Sequence, residues 1–280
     1  MRYLRLLLFI VTYAMFVYGV ERPAPPDSAS IESKSSGTAI HFDFDSSVVY
    51  YIRGNAHSDK GNYGSAIADY TKAIRFNPKY AMAYSDRGYA YSKKGDYGLA
   101  VADYTEAIKL DSTNAVAYKG RGDTYSDKGD NESAIADYTE AIRIDTNFAD
   151  AYYNRGCTYS DNGDNNLAIA DYTKAIRIDT NFVDAYYNRG NAYTDKGDYD
   201  SAIADYSEAI RLDPNHADEY VSRSYAYRKK GCYGLAVADY AKAVRLDPIR
   251  FWPLCVLGLA VILVIYLIVK FVKRLSKKRR

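Results

Sequence analysis

The chain has 280 residues, 48% of them hydrophobic and 26% charged, with a formal net charge of +2. That is enough apolar material for a sizeable core, and its three cysteines, Cys157, Cys232 and Cys255, lack any paired or metal-ligand spacing and read as free thiols. Arg2, Arg5 and seven basic residues after residue 269 hold nine of the positive charges, so residues 20–253 carry −7, a balance that disfavours a nucleic-acid partner.

Residues 1–19 open with the basic start MRYLR, run through the apolar stretch LLLFIVTYAMFV and reach Val17 and Gly19. That is the pattern of a secretory signal peptide removed after Gly19. An uncleaved signal anchor is the alternative, and both readings put the following chain on the translocated side of a membrane. Residues 20–46 turn to Pro, Ser, Asp and Ala, too poor in apolar side chains to offset the entropy of ordering, and are expected to be a disordered Pro/Ser-rich tether. Within it AIHFDFD, Ala39 to Asp45, is a candidate ordered lead-in. His41, Asp43 and Asp45 alternate there as solvated or strand-like residues do, and are not assigned to a metal.

From Ser47 a unit of 34 residues recurs in one register, as 47–80, 81–114, 115–148, 149–182, 183–216 and 217–250. In the fifth copy Gly190 is eighth, Tyr193 eleventh, Ala202 twentieth, Tyr206 twenty-fourth, Ala209 twenty-seventh and Pro214 thirty-second. Each unit reads as two apolar-striped helices broken by a glycine at the fifteenth position, from Gly61 to Gly231. Gly190, Ala202 and Ala209 permit close helix approach, with Tyr193 and Tyr206 as the knobs that fill it. The pattern resembles the tetratricopeptide repeat (TPR) across residues 47–250. That resemblance implies an all-α, right-handed superhelical solenoid of antiparallel helix pairs, in which each unit contacts mainly its neighbours and a concave face is left open.

The copies depart from the commonest form of the motif in one regular way. The seventh residue is Arg in all six (Arg53, Arg87, Arg121, Arg155, Arg189, Arg223), and the twenty-third is Asp in all six (Asp69, Asp103, Asp137, Asp171, Asp205, Asp239). These are expected to pair as a ladder of bidentate bridges between the two helices of each unit. The alternative is two separate solvated rows of little energetic weight.

In proteins with this resemblance, the first helix of each unit lines the inner groove through its second, fifth, sixth, ninth, twelfth and thirteenth positions. Carried over here, those positions imply a peptide-binding groove built from Tyr89, Asp123, Asp127, Asp150, Tyr153, Asn154, Asp161, Asp184, Tyr187, Asn188, Asn191 and Asp195. Amides can donate to and accept from an extended backbone, tyrosine supplies contact area, and carboxylates favour Lys or Arg on the ligand. The expected partner is therefore a basic, extended peptide or protein segment. The alternative is that the row is merely the solvated face of the solenoid. Relatives that grip chaperone tails use Lys and Asn at the fifth and ninth positions of one unit. Here Lys119 is followed by Asp123, and Asn191 is preceded by Tyr187, so that clamp is not assembled.

The sixth unit diverges, with Glu219 at its third position, Ser224 at its eighth and Cys232 in its turn. Pro248 and Pro253 then bracket a short turn into Leu254 to Val269. Residues 251–269 form nineteen uncharged positions with Trp252 at one end and a basic flank, 270–280, at the other. This reads as one transmembrane helix with a cytoplasmic tail. Asn131-Glu132-Ser133 is a glycosylation sequon, and Lys277 with Lys278 resembles a dilysine retrieval signal. Both are short enough to arise by chance.

No P-loop, nucleophile elbow or dinucleotide fingerprint is present, and His41, His57 and His216 form no catalytic spacing with Cys or acid. The expectation is a non-enzymatic, cofactor-free scaffold, anchored by one membrane helix, whose translocated solenoid binds a protein or peptide. The alternatives are a structural subunit of an envelope or secretion assembly, and a tail-anchored cytosolic adaptor.

Overall fold

A computed structural model describes residues 46–250. The expected signal peptide, most of the tether, the membrane helix and the basic tail lie outside the described residues. Among these residues the chain forms twelve α-helices and no strand: α1 (Ser46–Ser58), α2 (Tyr63–Phe76), α3 (Ala81–Lys93), α4 (Tyr97–Leu110), α5 (Ala115–Asp127), α6 (Asn131–Ile144), α7 (Ala149–Asp161), α8 (Asn165–Ile178), α9 (Val183–Asp195), α10 (Tyr199–Leu212), α11 (Ala217–Lys229) and α12 (Tyr233–Leu246). Ser46, expected at the end of the tether, is already helical. Among the described residues no helix is long and apolar enough to cross a membrane.

Two compact units divide after Leu110. The first holds hairpins α1/α2 and α3/α4, with α2 packed on α3. The second holds α5/α6, α7/α8, α9/α10 and α11/α12, with α6 on α7, α8 on α9 and α10 on α11. Within each unit, consecutive helix pairs therefore stack as in a TPR solenoid. The turn inside every hairpin carries a glycine with φ between 72° and 84°, from Gly61 to Gly231, a left-handed backbone that other residues adopt only under strain.

The helices of a hairpin meet where a tyrosine ring occupies the space of a missing side chain. A Cβ built on Gly190 falls 2.7 Å from Tyr206 Cε1, and one on Gly122 falls 2.8 Å from Tyr138 Cε1. Tyr206 is accordingly 1% exposed, with Ala202 and Ala209 at 0%. Tyr193, expected as a second knob, is half-buried instead and stands with Tyr199 and Ile203 against the Ala202, Tyr206 and Ala226 cluster. Between hairpins the small third residue does the fitting: Ala151 packs with Ala141 and Ile142 of the preceding repeat, and Ala185 with Ala175 and Ile176.

The Arg/Asp ladder forms in all six repeats. In the fifth, Arg189 Nε donates to Asp205 Oδ2 and Nη2 to Oδ1, both at 2.7 Å. The other five pairs are also bidentate, at 2.5–2.9 Å. These are not solvated rows, since the Asp205 side chain is 8% exposed and that of Arg189 16%. A third contact was not foreseen. The remaining guanidinium nitrogen reaches back to the twenty-fifth residue of the preceding repeat, Arg87 to Thr71 at 3.0 Å, Arg155 to Thr139 at 2.9 Å, Arg189 to Thr173 at 3.0 Å and Arg223 to Ser207 at 2.9 Å. Each arginine also lies over the tyrosine three residues before it, as Arg189 does over Tyr186 at 5.7 Å.

The fork leads to a direct expectation. Arg189→Lys keeps the charge but loses the planar fork, and should destabilise the protein by about 1–2 kcal/mol; Asp205→Ala strands a half-buried guanidinium and should cost about 3 kcal/mol. Urea midpoints of the purified protein read both. A lysine variant as stable as the parent contradicts the ladder's structural role.

The sixth repeat shows what its divergence does. Glu219 occupies the buried third position, 2% exposed, where Ala83, Ala117, Ala151 and Ala185 sit in other repeats. Its carboxylate lies 2.6 Å from His216 Nδ1. Burial pushes the Glu219 carboxyl up, and the hydrogen bond to Glu219 raises His216. Both folded values exceed the unfolded ones, so both contributions are present at low pH and are lost as pH rises through the folded values. Glu219→Ala should therefore gain stability relative to the parent between pH 5 and pH 8, read as the difference in denaturant midpoint at the two pH values. A difference that stays constant or reverses contradicts this.

Candidate peptide-binding groove

Eleven of the twelve groove residues lie in the second unit. Asp123 and Asp127 are on α5; Asp150, Tyr153, Asn154 and Asp161 on α7; and Asp184, Tyr187, Asn188, Asn191 and Asp195 on α9. Tyr89 lies on α3 of the first unit and is 44% exposed, with Lys93 Nζ over its ring at 5.4 Å.

The eleven sort into two layers. The inner layer is half-buried and hydrogen-bonded across repeats. Asn154 donates to Asp123 at 2.8 Å, and Asn188 donates to the Tyr153 hydroxyl at 2.9 Å. Tyr187 and Ser222 hydroxyls meet at 3.3 Å. Below this layer, the buried twenty-fourth tyrosines donate upward, Tyr138 to Asp123 at 3.0 Å and Tyr206 to Asn191 at 2.8 Å. Burial pushes the Tyr206 phenol up to about 12, so at neutral pH it serves as a neutral donor. The inner amides and tyrosines therefore already join successive first helices, and what they still offer a ligand is the carbonyl oxygen of each amide and the second N–H of Asn154.

Sequence reasoning missed this internal use. Its signal was the spacing: Tyr153 and Asn188 are 35 residues apart, and Asp123 and Asn154 31 apart, which brings the fifth or ninth position of one repeat beside the sixth of the next. The first unit repeats it, with Tyr51 donating to Asp86 at 2.7 Å; burial raises the Asp86 carboxyl despite that bond. Lys119, the lone clamp-like lysine, is held by Asp123 at 2.8 Å.

The outer layer is acidic. Asp127, Asp161 and Asp195 occupy the thirteenth position of three consecutive repeats, Asp150 and Asp184 the second position of two, and all five are exposed. In the sixth repeat the thirteenth position changes sign. Lys229 stands there beside Arg228, and the two lie 5.3 and 5.2 Å over the Tyr225 ring.

The remaining sequence signals also have places. Cys157 sits below Asn188, whose amide is 3.7 Å from its sulfur, and burial pushes the thiol up, which suits a packed side chain rather than a nucleophile. Cys232 is exposed, and both described cysteines are free. Among the described residues no group of three or more His, Cys, Asp or Glu is arranged to hold a metal ion. Asn131 of the sequon donates to Asn162 at 2.7 Å.

Stacked helix hairpins with an open, polar inner surface define a repeat scaffold of the kind used for protein–protein interaction. Tetratricopeptide and TPR repeat family profiles match residues 54–95, 88–129, 122–163, 158–194, 183–216 and 219–250, and the chain belongs to the tetratricopeptide repeat family. Among solved structures, MamA is 32% identical with a TM-score of 0.56, over 60% of this chain and 92% of that one. YrrB, described as a TPR protein with an unusual peptide-binding site, is 26% identical with a TM-score of 0.58, over 68% of this chain and 97% of that one. The pilF protein of Pseudomonas aeruginosa shares the fold at 19% identity and a TM-score of 0.65, over 73% of this chain and 93% of that one. A search of curated protein sequences finds no match.

Proposed function

We propose that this protein is a membrane-anchored scaffold whose second unit holds an extended, basic peptide or protein segment along the inner faces of α5, α7 and α9, by binding rather than catalysis. The observation that carries the reading is the row Asp127, Asp161 and Asp195, exposed carboxylates at one position of three successive repeats. Rows of one sign on a repeating frame favour a ligand whose Lys or Arg residues recur along its length. Tyr153 and Tyr187, on the same helices as Asp161 and Asp195, are half-buried and held in place by Asn188 and Ser222, and contribute rigid contact area with little conformational entropy to lose. The peptide-binding site of YrrB supports a peptide as the class of ligand.

The anchor in this reading is residues 251–269, with the signal peptide at 1–19 delivering the repeats to the translocated side and the basic tail remaining in the cytoplasm.

Two results follow. Asp161→Lys combined with Asp195→Lys should weaken binding of a Lys/Arg-rich peptide by roughly tenfold at low salt, less at high salt, with helicity unchanged. Calorimetric titration reads it, and unaltered affinity removes the groove assignment. For the topology, protease added to sealed vesicles in native orientation should cut the repeats when it reaches the translocated face and spare them when confined to the cytoplasmic one. The reverse pattern overturns it.

A further inference from the structure

Among the described residues, the second unit ends in an apolar face that lacks the cover its counterparts have. In the fifth repeat, Tyr199 and Ile203 of α10 pack with Ala226 of the following repeat. Their equivalents on α12 are Tyr233 and Val237, and residue 250 closes the last repeat. Tyr233 is 67% exposed and Val237 69%, where Tyr199 and Ile203 are half-buried. Ile249 follows at 89%, whereas Leu235 lies round the other side of α12 and at 53% is no more exposed than its internal equivalents Leu99 at 53% and Leu167 at 49%. Large apolar side chains this exposed and this close together mark a contact surface.

Cations fringe the face. Arg228, Lys229 and Lys230 lead into the turn before Tyr233, and Arg245 and Arg250 follow it, all exposed. Part of this charge is answered within the protein. Lys230 pairs with Asp200, Arg250 with Asp218 at 2.8 Å, and Arg228 and Lys229 stack on Tyr225. Between Arg228 and Arg250 the acids are Asp239, held by Arg223, and Asp247, which accepts the Arg250 backbone N–H at 3.1 Å. The fringe is therefore net basic, next to the acidic rows of the third to fifth repeats.

The chain itself limits where this face can be. Asp247 to Arg250 separate Leu246 from the uncharged run 251–269. At no more than about 3.5 Å per residue these four residues reach roughly 14 Å. Wherever that run enters a bilayer, the C-terminal end of α12 is held near the headgroups, and Val237 and Tyr233 lie about 14 and 20 Å back along that helix, so they reach the surface if α12 lies along it. We propose that the face formed by Tyr233 and Val237 lies on the bilayer surface beside the chain's own anchor, with Arg228, Lys229 and Arg245 toward anionic headgroups. The inference rests on the membrane anchoring proposed above. Apolar residues sunk at the headgroup boundary and fringed by Lys and Arg are what an interfacial segment requires. The bilayer then takes the place of a seventh repeat, and a ligand of the acidic groove is met at the membrane surface.

The test uses the full chain in sealed vesicles containing phosphatidylglycerol, with Trp252→Phe and Val237→Trp, so that a single tryptophan reports from the face. The control is Leu167→Trp in the same background, an apolar position 49% exposed on α8. A nitroxide on the lipid near the headgroup should quench the residue-237 tryptophan roughly twofold or more and leave the control unquenched. Aqueous acrylamide should show the opposite order. Equal access of both tryptophans to acrylamide overturns the docking. A residue-237 tryptophan shielded from both quenchers also overturns it, because the face is then covered by protein, either residues 251–269 or a second copy. Failure of the chain to float with vesicles after an alkaline wash removes the anchor itself and the inference with it. Flotation with no lipid quenching sinks the docking alone. A second measurement needs no substitution: amide exchange along Tyr233–Leu246 of the natural chain should be slower in phosphatidylglycerol-rich vesicles than in purely zwitterionic ones. Equal rates contradict the role given to the basic fringe.

Discussion

In the second, fourth, fifth and sixth repeats the guanidinium at the seventh position holds three helices at once. In the fifth repeat, Arg189 stacks on Tyr186 of its own helix, grips both oxygens of Asp205 on the second helix and reaches Thr173 on the preceding repeat. A carboxylate that is 8% exposed is tolerated because the fork satisfies both of its oxygens. A hydrophobic contact between smooth helices permits sliding by a turn. A planar fork with a third donor aimed elsewhere fixes rotation, translation and the approach of the next hairpin together. The glycine at the eighth position, next to the arginine, sets the distance at which this works, because Tyr206 fills the space over Gly190 where a methyl group would stand.

That rigidity carries the inner surface. The first helices of the second unit stand in a spacing set by their neighbours, and the hydrogen bonds from Asn154 to Asp123 and from Asn188 to Tyr153 cross from one to the next. The exposed carboxylates at the thirteenth position therefore repeat at a fixed interval. A partner meets a preformed array, and the cost of ordering falls mainly on the partner. The change from Asp127, Asp161 and Asp195 to Lys229 in the sixth repeat gives the array a direction. The repeat in which the sign changes is also the one that leads, in sequence, into residues 251–269.

Much of this was legible in the sequence for a physical reason: each feature recurs at a fixed offset. Gly190 and Tyr206 are sixteen residues apart in a unit whose length is constant, and Arg189 and Asp205 share that offset in every copy, so a pairing between the helices was the economical reading. What escaped was contact between repeats. The hydroxyl at the twenty-fifth position, Thr71, Thr139, Thr173 and Ser207, is replaced by Ala241 in the sixth repeat, which has no following arginine to receive. That substitution was the visible signal. From sequence the amides of Asn154 and Asn188 read as free for a ligand, because an Asn on an open face carries no indication of a partner 31 or 35 residues away. Glu219 was recognised as an odd residue at a small position, but its burial against His216 needed coordinates.

One arginine couples the stacking of repeats to the pairing of helices within them. A double-mutant cycle between Arg189 and Thr173, using Arg189→Lys and Thr173→Val with stability read from equilibrium urea unfolding, tests it most directly. The two substitutions should interact by about 0.5–1 kcal/mol, because each removes the same hydrogen bond between repeats. Effects that simply add, with no interaction beyond error, contradict it and leave the arginine as a link within a single hairpin.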